Sequence, residues 1–266
     1  MATSIVHLPD AFAVDEKASV GLIRQIAELG SVVEANIATF KARGVEGRLL
    51  IPVEDSQREI LLLQKRPAQA ISGYERVLVA SGRLPSTKSE ILDLTIAQWA
   101  QHPEKSSDYP RGMSARAAAV SESWRDALKY KQEDLKTNSP GLRGPQIGAL
   151  HLVQGHWTVS SETGTVVMPT GTGKTDTMIG VMVSTPCPRV IVVVPSDALR
   201  TQTAEKFMRL GVLRRLEGVL SHTARFPIVG LLRKRPTRKS DLDSLLIPRD
   251  REQRFHGNVN TDSTAT

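Results

Sequence analysis

The chain has 266 residues, 40% of them hydrophobic, with a net charge of +7 and a single cysteine. That is enough length and apolar content for one medium domain or two small ones with buried cores. Cys187 alone excludes an intrachain disulfide and a cysteine-clustered zinc site, and the histidines at 7, 102, 151, 156, 222 and 256 show no metal-ligand spacing. The N-terminal MATSIVHLPDAF has no basic stretch leading into an apolar one, and no eighteen consecutive apolar residues occur. The expected location is therefore the cytoplasm, with no membrane partner.

In chain order, residues 17–43 carry Ile23, Ile26, Val33, Ile37 and Phe40 at spacings that fit one face of a helix, with Gly44 as its stop. GRLLIPVED and REILLLQKRP are short apolar runs that fit strands, although their length alone does not exclude a buried helical turn. Residues 114–136 return to helical period through Val120, Trp124, Leu128, Lys131 and Leu135, and TNSPGLRGP closes them with breaker residues. Trp99 and Trp124 are assigned to packing. A domain boundary near Pro140 follows, with residues 1–140 forming a mostly helical accessory domain.

Beyond Pro140 the pattern changes. GTVVM (164–168) reads as a strand, TDTMIGVMVST as a helix, RVIVVVP (189–195) as a second strand, and SDALRTQTAEKFMRLG as a helix closed by Gly211. This βαβα order, with continuous Val and Ile, predicts an α/β fold with parallel strands covered on both faces. Residues 141–250 form that domain, and 251–266 read as a disordered tail.

Between the first strand and its helix lies MPTGTGKT (168–175). Strand, glycine-rich turn, Gly-Lys-Thr and helix is the arrangement that cradles phosphate. Main-chain N–H groups of Thr170, Gly171, Thr172, Gly173, Lys174 and Thr175 would face phosphate oxygens at a helix N-terminus. Lys174 would reach the β and γ phosphates of ATP, and Thr175 would offer its hydroxyl to Mg2+, a cation that takes oxygen ligands. Met168 stands where the P-loop pattern has glycine.

MPTGTGKT resembles motif I of superfamily 2 helicases and translocases, in which an apolar first residue is common. LRGPQIGAL (142–150) is similar to the LRxxQ box that opens the helicase domain in the type III restriction enzyme and DEAD/DEAH-like group. The resemblance implies a RecA-like ATP-binding domain, with Gln146 reading the adenine edge through an amide that both donates and accepts. VVVPSDALRTQ resembles motif Ia, with Pro195, Leu199 and Gln202 in place, but with Ser196 and Asp197 where threonine and arginine are usual. A strand contact would then rest on Ser196, backbone N–H groups or Arg200, and Ser196 or Asp197 reads at least equally as a plain helix N-cap. The implied partners are nucleic acid, DNA ahead of RNA, and further subunits.

In such ATPases a later strand ends in Asp-Glu and a second motor domain follows. Neither is found after residue 211, where Asp241 and Asp243 follow charged residues. The expectation is the N-terminal part of a longer helicase-like protein, of restriction or phage-defence kind. Residues 209–254 hold twelve Lys or Arg against five acids, a surplus equal to the whole net charge. The competing reading is a non-enzymatic nucleic-acid-binding protein that uses this basic segment. A small P-loop kinase is a third, for which LRGPQIGAL and PSDALRTQ have no role.

Overall fold

The computed structural model describes residues 3–42, 44–87, 91–105, 111–185, 189–235 and 237–238. The tail at 251–266, Asp241, Asp243 and the basic side chains from Lys239 onward lie outside the described residues, as does Cys187.

The run Ile60-Leu61-Leu62-Leu63 has no polar alternation, and all four side chains are buried. Ile60 and Leu62 point into one apolar cluster with Val6, Leu50, Ile37 and Leu78, while Leu61 and Leu63 point into another with Val77. A strand covered on both faces reads in this continuous way. It is β6 (Ile60–Leu63) of a seven-stranded sheet that also holds β1 (Ser4–His7), β4 (Val32–Ala42), β5 (Val45–Pro52), β7 (Arg76–Val79), β8 (Ile91–Asp93) and β9 (Gln98–Gln101). The order is β8-β1-β4-β5-β6-β7-β9. The β1/β8 and β6/β7 pairs are parallel, and the other pairs are antiparallel. Trp99 packs against the first cluster and donates its indole N–H to the Pro9 carbonyl at 3.2 Å, the packing role expected of it.

The N-terminal region is therefore not mostly helical. The helix expected over 17–43 is replaced by β2 (Ala11–Ala18), β3 (Gly21–Glu28) and β4. The apolar residues pooled into one helical stripe belong to different strands, with Gly30 and Ser31 between them. Within β4 the inward set is Val33, Ala35 and Ile37, a period of two. Gly44, with φ +76, turns the β4/β5 hairpin and ends no helix. The strands expected in GRLLIPVED and REILLLQKRP are present as β5 and β6.

The chain divides into two compact units, residues 1–14 with 26–107 and residues 15–25 with 108–266. In the second unit β10 (Val229–Leu232) pairs antiparallel with β3 from Val229↔Arg24 to Leu232↔Gly21. The helix expected over 114–136 is shorter, α1 (Met113–Ser123). It stops because the backbone beyond it takes tertiary partners: Lys129 N–H donates to the Val219 carbonyl and Ser221 N–H to that of Ala127, with Asp126 left-handed at φ 54. Trp124 is buried, its indole N–H donating to the Arg225 carbonyl at 2.9 Å, whereas Leu135 is exposed.

Three helices follow: α2 (Gly144–Val159), α3 (Lys174–Ser184) and α4 (Asp197–Met208). The last two match the expected helices. The parallel strands expected at 164–168 and 189–195 are not formed; both segments are without strand pairing, with Val167 88% and Ile191 81% exposed. Two β-branched runs gain the free energy of a parallel sheet only when neighbouring strands and two covering faces are present. The fold is mixed α/β, and among the described residues the parallel strand pairs β1/β8 and β6/β7 both lie in the seven-stranded sheet.

Candidate nucleotide site

The site is assembled from the start of α2 and the turn that enters α3. Arg143 is the extended residue before α2, and its N–H donates to Oε1 of Gln146 at 2.9 Å while Gln146 N–H donates to the Arg143 carbonyl. Gln146 is only 4% exposed, and its Nε2 donates to the Gly173 carbonyl at 3.4 Å. Arg143 reaches the same loop, with Nη1 donating to the Gly171 carbonyl at 2.6 Å. Two side chains of the LRGPQ stretch thus fasten the backbone of the glycine turn.

The turn itself has Gly171 at φ 81 and Gly173 at φ 89, both left-handed. A side chain at 173 would also collide with Nε2 of Gln146. Thr172 closes the turn through its hydroxyl, which donates to the Pro169 carbonyl at 2.7 Å, and its N–H makes a longer bond of 3.5 Å to the same oxygen. Met168 is buried, which accounts for an apolar residue where the pattern has glycine. Thr170 and Gly171 are exposed, as is Lys174, whereas Thr175 is half-buried.

The first main-chain bond of α3 runs from Thr177 N–H to the Gly173 carbonyl at 2.9 Å. The amides of Lys174, Thr175 and Asp176 accordingly precede the helix's own ladder, at the end carrying about half a positive charge. Left-handed glycines, free first-turn amides and an exposed ammonium meet the requirements of a phosphate group. Thr175 carries a half-buried hydroxyl, an oxygen donor of the kind Mg2+ takes. Among the described residues no cluster of three His, Cys, Asp or Glu could hold a metal ion.

The structure brings Gln146 and residues 170–175 together. Ser196 and Arg200 lie on α4. Ser196 is its N-cap, Oγ accepting the Leu199 N–H at 3.3 Å, and Arg200 Nη2 pairs with Asp197 at 3.0 Å. Replacing Ser196 with Ala is expected to cost about 1 kcal/mol in urea unfolding through loss of the cap. If Ser196 instead served a nucleic acid alone, stability would not change. Arg143 was not singled out from the sequence. Its signal was there, three residues before Gln146 at a helix start, but a surface arginine is not distinguished by its neighbours in sequence.

Residues 139–227 match the family of the type III restriction enzyme, res subunit. That stretch is similar to the helicase-like res subunit of that family. It covers about a third of the chain and contains Gln146, the glycine turn, Ser196 and Arg200. No curated protein and no solved structure matches the chain. Helicase-like domains of that family generally bind ATP with Mg2+. No helix among the described residues is long and apolar enough to cross a membrane. The basic segment overlaps the end of the matched residues, and part of it there is structural: Arg214 donates to the carbonyls of Ser221, His222 and Ala224 and lies over the Phe226 ring. Burial lowers its pKa from the usual arginine value.

Proposed function

We propose that residues 141–250 are the RecA-like nucleotide-binding part of a superfamily 2 DNA helicase or translocase of restriction or phage-defence kind, with residues 1–140 an accessory domain. ATP is held by the amides of residues 170–175 and by Lys174, and Thr175 offers its hydroxyl to Mg2+. Nucleic acid is met through α4 and the basic segment, and further subunits complete the assembly. The observation that carries this reading is the pair of left-handed glycines leading straight into Lys174 and the unladdered amides of α3. Gln146, buried with one bond at Oε1 and one at Nε2, meets an adenine edge only by moving out of this setting or through its remaining N–H and lone pair.

Hydrolysis by this chain is expected to be negligible, because no Asp-Glu pair occurs after Gly211 to order Mg2+ and the attacking water. Calorimetric titration with Mg-ATP should give binding heat, and single-turnover assays should give no Lys174-dependent hydrolysis with or without DNA. Hydrolysis stimulated by DNA would reveal a catalytic acid elsewhere. The basic surplus of residues 209–254 favours a second reading, a binding module that needs no nucleotide. DNA affinity that falls steeply with salt, vanishes on deleting residues 225–254 and ignores both ATP and Lys174→Ala would decide for it.

A further inference from the structure

Asp176 stands third in α3, two residues after Lys174, and is only 7% exposed. A buried carboxylate is costly unless hydrogen-bonded. Its Oδ1 accepts the N–H of Val212 at 3.0 Å, across a separation of 36 residues. The acceptor is matched by the turn it meets. Leu210 and Gly211 are both left-handed, at φ 57 and 53, and Gly211 N–H closes α4 on the Lys206 carbonyl at 2.7 Å. A Cβ on Gly211 would run into Asp176 Oδ1, so the glycine admits the carboxylate as well as the turn. On its other side the carboxylate backs the glycine turn, with Oδ2 3.7 Å from where a Cβ on Gly173 would stand.

We propose that Asp176 is a positioning residue of the phosphate loop, locking the first turn of α3 against the Gly211–Val212 turn so that the amides of Lys174 and Thr175 hold their direction. The inference rests on the nucleotide-binding reading above. Gln146 holds the loop's last carbonyl from the α2 side, and Asp176 holds the helix start from the α4 side. With one of the two removed, α3 is free to rotate at the end where phosphate contacts require fixed geometry. The carboxylate itself touches no phosphate; it acts through the backbone.

The test is calorimetric titration of the full chain with Mg-ATP, at a temperature well below every variant's unfolding transition. Asp176→Ala should weaken binding about tenfold, the effect of losing a hydrogen bond to a charged group. Asp176→Asn, whose Oδ1 still accepts the Val212 N–H, should restore affinity to within about threefold. Val219→Ala, which lowers Tm by hollowing a fully buried position in the same unit, should leave affinity unchanged. Equal affinities for wild type and Asp176→Ala, alongside a loss in Lys174→Ala, would overturn the positioning role and leave nucleotide binding standing. Absence of binding in the wild type would remove both. If the alanine variant does not fold, Asp176→Ser, too short to reach the amide, takes its place and must show the same loss.

Discussion

Lys174→Ala is expected to weaken Mg-ATP binding by roughly 30- to 150-fold, the equivalent of about 2–3 kcal/mol for charge-assisted bonds between an ammonium and phosphate oxygens. The side chain is exposed at the first position of α3, so its removal should shift stability by no more than about 0.5 kcal/mol. That separation of binding from folding is what makes the variant decisive. Calorimetry measures the first and urea unfolding the second. Lys174→Arg should not rescue, because a planar fork on a longer stem cannot take the place of a compact point charge between two phosphates. Thr175→Ala should act differently, narrowing the gap between affinities measured with Mg2+ and with EDTA, since only the hydroxyl is lost. Equal affinity in wild type and Lys174→Ala would show that any nucleotide bound here lies outside the glycine turn.

The glycine turn was legible in the sequence because its chemistry is local. Gly171, Gly173, Lys174 and Thr175 lie within five residues, and the helix they enter has the expected bounds. Gln146 was singled out through resemblance, and its setting could not be read from the sequence. Burial of its amide on the loop carbonyl depends on α2 and α3 lying side by side, a tertiary fact with no signature at residue 146. Arg143 and Asp176 escaped for the same reason: each acts on backbone groups 28 or 36 residues away. Ser196 is the converse case. Its N-cap reading needs only the next three residues, and the structure has that bond.

The strands divide along a similar line. REILLLQKRP fitted a strand or a buried helical turn, and it is β6, an unbroken apolar run buried on both faces. RVIVVVP has the same texture and forms no strand, with Ile191 and Val193 largely exposed. Composition states what a segment could pair with, while the pairing itself needs neighbours. In residues 17–43 the error was of period. Ile23 and Ile26 lie in β3 and Val33 and Ile37 in β4, so a stripe drawn across the Gly30–Ser31 break mimicked a helix. Counting Ala35 as apolar exposes the alternation Val33, Ala35, Ile37.

That β architecture makes Leu62→Ala the substitution with the largest expected effect on folding. Leu62 is fully buried in β6, flanked in the sheet by β5 and β7, and shares its cluster with Leu50, Leu78, Val6 and Ile37. Its neighbours are themselves held by sheet pairing, so the backbone cannot close on the gap, and the loss combines transfer free energy with a cavity. The expected cost is about 3–5 kcal/mol, the upper part of the range for a buried leucine. Leu62→Met, which nearly conserves volume, should cost less than about 1.5 kcal/mol. Urea unfolding followed by far-ultraviolet circular dichroism measures both. Loss of β signal in Leu62→Ala, with α3 and its Mg-ATP binding retained, would show that the first unit unfolds on its own.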